Sequence, residues 1–245
     1  MLIQAVDNPL VKDLAALHDA AGRRTARAFL VEGRRAIAGL LAAGWTPLQL
    51  CVREGEAQPA DWPTATILGE RATKRASAAT TPSGYLAVFP LPDCGQVAPA
   101  AGGLVLAGVS DPGNLGTLLR TAAAFSVGQV VCLGGADPFA PKAVQASAGA
   151  IAAVRLFRLE SWSGLAGGAP LTALVPRGGT APPVAPGPRW LVVGGEADGI
   201  PAEGLAACSE RLSLPMPGSA VESLNAAVAG AIALWEVFGK AKAEA

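Results

Sequence analysis

Three stretches of the chain share one arrangement of apolar and polar positions. In residues 104–127 an apolar run, which suits a buried strand, breaks at Asp-Pro-Gly-Asn and resumes with leucines at helical spacing. Residues 190–201 begin with a short apolar run that leads into a Gly-Gly-Glu turn. Residues 212–235 pass through a rigid Pro-Met-Pro-Gly loop into a strongly apolar helix. The pattern predicts strand, loop and helix units of an α/β fold.

Asn114 and Arg120 are the polar positions beside the apolar face of the first predicted helix. Helical side chains lean toward the helix N-terminus, so Arg120 is expected to reach back over the loop that carries Asn114. Ligands of open α/β sheets bind where strands end, which makes this pair the leading candidate site. The alternative is an arginine that merely satisfies a loop carbonyl.

The loops within residues 190–201 and 212–235 are weaker evidence for a ligand site when each is taken alone. Glycines at 194 and 195 allow a ligand to approach the backbone, but a Gly-Gly pair after a strand is often only a turn. Met216 suits a gap in the core equally well. Ser223 or Asn225 is expected to cap the C-terminal helix.

In this order and spacing, the three stretches resemble the three motifs of the SpoU, or TrmH, branch of the SPOUT RNA methyltransferases. The intervening residues 137–150 also resemble the intermediate segment of that family. The first motif falls on Asn114, Gly116 and Arg120, the second on Gly194, Glu196 and Gly199, and the third on Leu214, Pro215, Met216, Gly218, Ser223, Leu224 and Asn225.

The resemblance implies a fold that composition does not reveal. Residues 103–245 are expected to form a parallel sheet whose C-terminal segment threads through a loop as a deep trefoil knot. Knots are otherwise almost absent from proteins. The resemblance also implies a homodimer with the cofactor site at the subunit interface. The apolar C-terminal helix is compatible with a dimer, although it could instead be buried within one subunit.

The resemblance also implies S-adenosylmethionine as cofactor and assigns roles to the motif residues. Main-chain groups of the second and third loops are expected to hold the adenine, in a flat apolar slot. Arg120, Asn114 and Glu196 are expected to act on the target ribose hydroxyl, with Glu196 as a partner either for Arg120 or for the corresponding arginine of the partner subunit. The expected cofactor-binding residues are Gly194, Gly195, Leu214, Met216, Ser223, Leu224 and Asn225.

The N-terminal part of the chain is predicted to be a separate small α/β domain. A stretch rich in Pro, Gly and Ala divides the chain into residues 1–93, a linker at 94–102 and residues 103–245. Within residues 1–93, the segments Asn-Pro-Leu-Val-Lys at 8–12 and Phe-Leu-Val-Glu-Gly at 29–33 resemble a substrate-binding domain that is often fused to this family. That domain is similar to ribosomal protein L30e. The residues expected to contact RNA phosphates, rather than to form a merely solvated helix face, are Arg23, Arg24, Arg27, Arg34, Arg35 and Lys142.

Composition narrows the remaining classes of function. The formal net charge is zero, so overall charge carries no information about RNA. No apolar run reaches the roughly 20 residues of a membrane span, and we expect no secretion signal and a cytoplasmic protein. Four scattered cysteines and a single histidine argue against a metal site, a disulfide framework or a Ser-His-Asp hydrolase.

The predicted function is therefore S-adenosylmethionine-dependent methylation of a ribose 2′-hydroxyl in structured RNA, with ribosomal RNA favoured over transfer RNA. One alternative is a non-catalytic RNA-binding or ribosome-assembly protein that keeps the fold, against which the intact Asn114 and Arg120 argue. A second is a methyltransferase acting on a small molecule or a protein, against which the basic N-terminal module argues.

Overall fold

A computed structural model describes residues 2–182, 187–218 and 222–240 of the chain. The contacts divide it into two compact units. The first comprises Met1–Asp93 and Asp137–Ala152, and the second comprises Cys94–Ala136 and Ala153–Ala245.

Strands and helices alternate along most of the chain. In chain order the elements are β1 (Leu2–Ile3), α1 (Pro9–Ala16), α2 (Ala20–Ala26), β2 (Ala28–Glu32), α3 (Arg34–Ala42), β3 (Gln49–Arg53), β4 (Thr66–Leu68), α4 (Glu70–Ala76), β5 (Tyr85–Pro90), β6 (Gly103–Ala107), α5 (Pro112–Ala124), β7 (Gln129–Leu133), α6 (Pro141–Ser147), β8 (Arg155–Leu159), β9 (Leu171–Leu174), β10 (Trp190–Gly194), α7 (Ala202–Ala207), β11 (Glu210–Leu212) and α8 (Ala226–Leu234). A π-helical turn, Trp235–Gly239, continues α8.

The first unit is a mixed five-stranded sheet in the order β1-β4-β3-β5-β2, with β5 antiparallel to β3 and β2. Alternate side chains of β2 point to opposite faces of the sheet. Leu30 joins a buried cluster with Leu14 of α1 and Ala72 of α4. Phe29 contacts the ring of Phe139, which lies in the segment before α6. Apolar residues on both sides of β2 therefore hold helices over both faces.

The second unit is a six-stranded sheet in the order β11-β9-β10-β6-β7-β8, and every pairing is parallel. The central strands β6 and β10 are buried over nearly their whole length, as strands covered on both faces are. The prediction of a parallel sheet in an α/β fold is confirmed. Since β6 and β10 are neighbours, the loops that follow them meet at one edge of the sheet.

Helix α8 packs closely on α5 through Gly230. A Cβ atom at Gly230 would lie 2.5 Å from Cδ2 of Leu118, so a larger residue there would require the Leu118 side chain or the helix to shift. Ala227, Ala233 and Leu234 are buried on the same side. Burial covers only one side of α8, because Val228 and Ile232 are 49% and 41% exposed.

The segment expected to be a linker, residues 94–102, is bonded into the second unit. Arg155 donates to the carbonyls of Cys94 and Gln96, at 2.8 and 3.0 Å. The Gln129 side chain both accepts from and donates to the backbone of Ala98. These fixed hydrogen bonds make the segment a part of that unit, despite its lack of sequence periodicity.

The segment Asp137–Ala152 departs from the expected domain boundaries, because its contacts place it with the first unit. Asp137 forms an ion pair with Arg23 of α2, with 2.6 Å between Oδ2 and Nη2. Gly149 passes so close to α3 that a Cβ atom there would lie 3.2 Å from the carbonyl oxygen of Ala36. The chain thus contributes an excursion between β7 and β8 to the N-terminal unit.

Candidate active site

Asn114, the first residue of the first motif, lies in the first turn of α5 rather than in a loop. Asp111 caps α5, since its Oδ1 accepts from the backbone N–H of Asn114 at 2.8 Å, and Pro112 occupies the first helical position. The expectation of a polar loop up to Asn114 is corrected. The sequence carries the signal in Asp-Pro, an N-cap followed by a proline at the first helical position.

The second motif forms a tight turn after β10. The backbone N–H groups of Gly195 and Gly199 each donate to the other's carbonyl, at 3.0 and 3.1 Å. A Cβ atom at Gly194 would lie 2.2 Å from the carbonyl carbon of Gly199, so only glycine fits there. Glu196 lies at the tip of this turn with an exposed side chain.

The third motif ends at Asn225, which caps α8. Its Oδ1 accepts from the N–H groups of Ala227 and Val228, at 2.9 and 3.2 Å. Of the two predicted caps, Asn225 and Ser223, the structure shows Asn225 in that role. Because its oxygen is held by two backbone donors, its Nδ2 must face the other way.

A chain of side-chain hydrogen bonds joins the three motifs. Nδ2 of Asn225 donates to Oδ1 of Asn114 at 3.2 Å, and Nδ2 of Asn114 donates to Oε1 of Glu196 at 2.6 Å. The second carboxylate oxygen of Glu196 accepts from the hydroxyl of Ser110 at 3.2 Å. Burial raises the pKa of Glu196, but the hydrogen bonds from Asn114, from its own backbone amide and from Ser110 outweigh burial and hold this pKa below its ordinary value. The carboxylate is thus ionised at neutral pH.

Arg120 does not take part in this chain. It is exposed, lies six residues beyond Asn114 on α5, and forms no hydrogen bond or ion pair within the described ranges. The expected pairing of Glu196 with Arg120 is therefore absent there, and Asn114 and Ser110 satisfy the carboxylate instead. The Arg120 guanidinium keeps all its N–H donors available for a ligand.

A cavity of about 620 Å³ lies beside the hydrogen-bonded side chains of Asn225, Asn114 and Glu196. All seven residues expected to bind the cofactor line it. Apolar side chains such as Val193, Ile200 and Leu214 line it together with the backbone of the glycine turn. Glu196 also lines the cavity. The expected cofactor-binding residues found in its wall are Gly194, Gly195, Leu214, Met216, Ser223, Leu224 and Asn225.

The cavity also has walls that the sequence reasoning missed. Leu174, Val175 and Pro176 contribute from the end of β9, and Asp198 contributes from the second-motif turn. The sequence of residues 171–175 is typical of a short strand, and the carboxyl ends of parallel strands meet at one edge. That rule would have added the end of β9 to the site. No pattern in the sequence indicated that Ser110 would contact Glu196.

The residues expected to contact RNA do not lie in this site, and one of them is corrected. Arg23 is only 4% exposed and donates to the carbonyls of Leu17 and His18 as well as to Asp137. Because the Arg23 guanidinium is buried and bonded within the protein, it cannot reach a phosphate. The other five, all exposed, are Arg24, Arg27, Arg34, Arg35 and Lys142.

Three further features concern metal ligands, cysteines and membrane spans. Within residues 2–182, 187–218 and 222–240, His, Cys, Asp and Glu side chains form no group that could hold a metal ion. All four cysteines are free, and burial raises the pKa of Cys51 and of Cys208 to about 11, with Gln49 and Arg211 respectively opposing the shift. None of the described helices is both long and apolar enough to cross a membrane.

Comparisons with known proteins agree with the motifs. Residues 103–235 match the SpoU rRNA Methylase family, and residues 8–87 match the MRM3-like substrate binding domain. The chain is 30% identical over 256 residues to the 23S rRNA (guanosine(2553)-2'-O)-methyltransferase RlmP of Bacillus subtilis, and the match covers 97% of this chain and 99% of that protein.

Solved structures give the same result. A crystal structure of an RNA 2'-O ribose methyltransferase superposes with a TM-score of 0.79 at 31% identity, covering 96% of this chain and 97% of the other. The AdoMet-bound rRNA methyltransferase of Sinorhizobium meliloti superposes with a TM-score of 0.80 at 25% identity, covering 96% of each chain. The family predicted from the three motifs is confirmed: the chain belongs to the SpoU rRNA methylase family.

Proposed function

We propose that this chain transfers the methyl group of S-adenosylmethionine to the 2′-hydroxyl of one ribose in ribosomal RNA. The observation that carries the proposal is the hydrogen-bonded chain Asn225–Asn114–Glu196 at the wall of the cavity. The similarity to RlmP, which is named as a 23S rRNA 2'-O-methyltransferase, supports ribosomal RNA as the substrate class.

The cavity fits the cofactor. Its volume of about 620 Å³ lies within the usual range for small-ligand sites. Apolar walls such as Leu214 and Met216 suit the face of an adenine, and the backbone of the glycine turn supplies donors and acceptors for its edge. S-adenosylmethionine supplies an electrophilic methyl group on a sulfonium, so the protein has only to bring a nucleophile into line with it.

The ribose hydroxyl is a poor nucleophile at neutral pH, and its proton must be stabilised as it leaves. Arg120 is the cation available for this task, but a free guanidinium has a pKa above about 12 and does not accept a proton. We assign it to orienting the hydroxyl and stabilising the developing negative charge, while the proton passes to a phosphate of the target.

Asn114 is held in one orientation by its neighbours. The Glu196 carboxylate can accept hydrogen bonds but cannot donate them, so the Asn114 amide nitrogen must face it. The Asn114 amide oxygen faces the Asn225 side chain, which donates to it. One further donor hydrogen and one further acceptor position are left on the amide. We assign these to the ribose of the target, which Asn114 positions beside Arg120.

The first unit serves as the RNA-binding part of the protein in this proposal. Its match to a substrate binding domain supports that role, as does its exposed arginine content. We further propose that it has the L30e-like fold and that residues 1–93 and 103–245, joined by 94–102, act as substrate-binding and catalytic domains. Lys142 belongs by contacts to the first unit and would act with it.

We also propose the finer features that the family resemblance implies. The order β9-β10-β6, with the third motif beside the second, supports a C-terminal trefoil knot. The exposed apolar positions of α8 support a homodimer, since a second copy would cover them. A cytoplasmic location stays a prediction from the sequence.

The test is incubation of the purified protein with radiolabelled S-adenosylmethionine and total RNA from cells lacking this gene. Label in ribosomal RNA at an alkali-resistant position is expected, because a 2′-O-methyl group blocks hydrolysis at that ribose. Label in transfer RNA alone would contradict the substrate class. Cofactor binding without any transfer, to naked RNA or to ribosomal particles, would favour the non-catalytic alternative.

A further inference from the structure

Among the described residues, the wall of the cavity carries two acidic side chains and no basic one. Glu196 and Asp198 line it, and no lysine, arginine or histidine of the described ranges does. The Glu196 carboxylate already accepts hydrogen bonds from Asn114 and Ser110. Asp198, in contrast, is exposed and forms no hydrogen bond or ion pair with the part of the chain that the structure describes. Its charge is therefore available to act on a bound ligand.

The backbone of the second-motif turn fixes the position of Asp198 in this wall. Gly195 and Gly199 are joined across the turn by two backbone hydrogen bonds, of 3.0 and 3.1 Å. The turn also packs closely on the residues after β6, since a Cβ atom at Gly195 would lie 2.5 Å from the carbonyl oxygen of Gly108. The Asp198 side chain thus extends from a backbone that is held on both sides.

Formation of this turn does not by itself require an aspartate at position 198. Gly199 has a φ of +66°, and both Asp-Gly and Asn-Gly are favoured in turns that contain such a glycine. An asparagine would suit the turn equally well and would leave the cavity with one negative charge fewer. What Asp198 adds to the site is therefore its charge.

The net charge of the cofactor changes when its methyl group is transferred. At neutral pH S-adenosylmethionine has a sulfonium, an ammonium and a carboxylate, and so carries one net positive charge. Transfer breaks the bond between the sulfonium sulfur and the methyl carbon, and the electron pair of that bond stays on the sulfur. The methyl carbon bonds to the ribose oxygen, whose proton passes to a phosphate of the target. The product, S-adenosylhomocysteine, is a thioether without net charge.

We propose that Asp198 determines specificity by making the cavity prefer the positively charged sulfonium form of the cofactor over its neutral product. Opposite charges attract, so a negative wall lowers the free energy of the sulfonium form alone. Apolar side chains such as Ile200 and Leu214 cannot supply this preference, because they carry no charge. The role in turnover rests on the proposed function: once the methyl group has left, the attraction is lost and the product is released more readily.

The test is Asp198→Asn, which removes the charge and keeps a residue that suits the turn. Calorimetric titration measures the Kd of S-adenosylmethionine and that of S-adenosylhomocysteine. Because Asp198 is exposed, we expect S-adenosylmethionine affinity to fall by about three- to fivefold and S-adenosylhomocysteine affinity to change by less than about twofold. Sinefungin, in which a carbon bearing an ammonium replaces the sulfonium, should lose affinity in parallel with S-adenosylmethionine. The preference of the wild type should also decrease as KCl is raised.

Glu203→Gln is the matched control. Glu203 is an exposed carboxylate on α7, close to Asp198 in the sequence, but it does not line the cavity. E203Q changes the net charge of the protein by the same amount as D198N, and we expect wild-type affinities for both ligands. A loss in E203Q equal to that in D198N would overturn the proposal, because net charge alone would then explain the preference.

Equal losses of S-adenosylmethionine and S-adenosylhomocysteine affinity in D198N would also overturn it. Asp198 would then act on the ammonium or the ribose, which both ligands share. Wild-type affinities for both ligands in D198N would overturn it as well. Failure of the proposed function has a different signature. D198N would then change the ratio of the two Kd values as expected, while the wild-type protein would transfer no methyl group to ribosomal RNA.

Discussion

Asn114 donates its side-chain amide to Glu196 across the two neighbouring strand ends of the second unit, with 2.6 Å between Nδ2 and Oε1. A charge-assisted bond of this length is about twice as strong as one between neutral groups. It makes the position of Asn114 depend on the second motif, although Asn114 itself belongs to the first. Ser110, directly before the cap of α5, holds the other oxygen of the same carboxylate.

Ser110→Ala should move the acidic limb of the pH–rate profile to higher pH. Burial raises the pKa of Glu196, while Asn114, its own backbone amide and Ser110 together lower it below the ordinary value. The hydrogen bond from Asn114 to the Glu196 carboxylate is fully present above the ordinary pKa of a glutamate. It is lost as the pH falls through the lowered pKa of Glu196. Removing one donor raises that lowered pKa, so activity should fail earlier on acidification. The measurement is kcat against pH.

Ser110→Thr is the matched control, because it keeps the hydroxyl, and its acidic limb should coincide with that of the wild type. A Ser110→Ala profile that coincides with the wild type would show that Ser110 does not influence Glu196.

Arg120→Ala should abolish methylation and leave cofactor affinity nearly intact. The side chain is exposed and does not line the cavity, so its contribution is expected only in the transition state. Loss of one such stabilising group lowers kcat by about 10² to 10³. Single-turnover methylation and calorimetric titration of S-adenosylmethionine measure the two effects separately. Parallel loss of both would refute the assignment.

Gly194→Ala should weaken cofactor binding by opening the second-motif turn. Its Cβ atom would lie 2.2 Å from the carbonyl carbon of Gly199 and 2.4 Å from the nitrogen of Ile200, and both are backbone atoms that cannot rotate away. Gly128→Ala is the matched control, because a Cβ atom there meets nothing within 4 Å and Gly128 does not line the cavity. Titration of S-adenosylmethionine should show a loss at Gly194 alone. Equal affinities in the two variants would mean that the turn does not shape the site.

The site was largely predictable because each of its loops follows a strand. Apolar runs ending in Gly, Pro or Asn place polar residues at one sheet edge. The residues for which the family resemblance implied cofactor binding all line the cavity there. The partners within the site were not predictable. One of the two partners expected for Glu196 from the family resemblance was Arg120, whereas the side chain that reaches the carboxylate comes from Asn114, in the first turn of α5.

The N-terminal unit shows a different limit of sequence reasoning. Arg23 and Arg24 are adjacent in an arginine-rich run, and composition cannot distinguish a buried cation from an exposed one. Burial is decided by Asp137, which lies 114 residues further along the chain and joins this unit only through an excursion from the second sheet. A pairing at that separation leaves no local pattern in the sequence.

Arg23→Gln should destabilise the first unit strongly. The variant removes the ion pair between Arg23 and Asp137 and the hydrogen bonds from Arg23 to the carbonyls of Leu17 and His18. Removing one partner of a buried ion pair costs about 3 kcal/mol or more. Urea unfolding followed by far-UV circular dichroism measures the change, and Arg24→Gln, at an exposed neighbour, should leave the free energy of unfolding within about 0.5 kcal/mol of the wild type. Similar values for the two variants would contradict the structural role of Arg23.

Ile232→Glu should dissociate the proposed homodimer without unfolding the subunit. Val228, Ile232 and Trp235 follow one another at helical spacing, and each remains at least 40% exposed in the single chain. A charge placed in the middle of this stripe would be buried without a partner in a dimer but solvated in a monomer. Sedimentation velocity should therefore show a dimer for the wild type and a monomer for the variant. Ala231→Glu, on the same helix beside the stripe, serves as the comparison for any loss of helix stability. A wild type that sediments as a monomer would mean that another partner, or only solvent, covers α8.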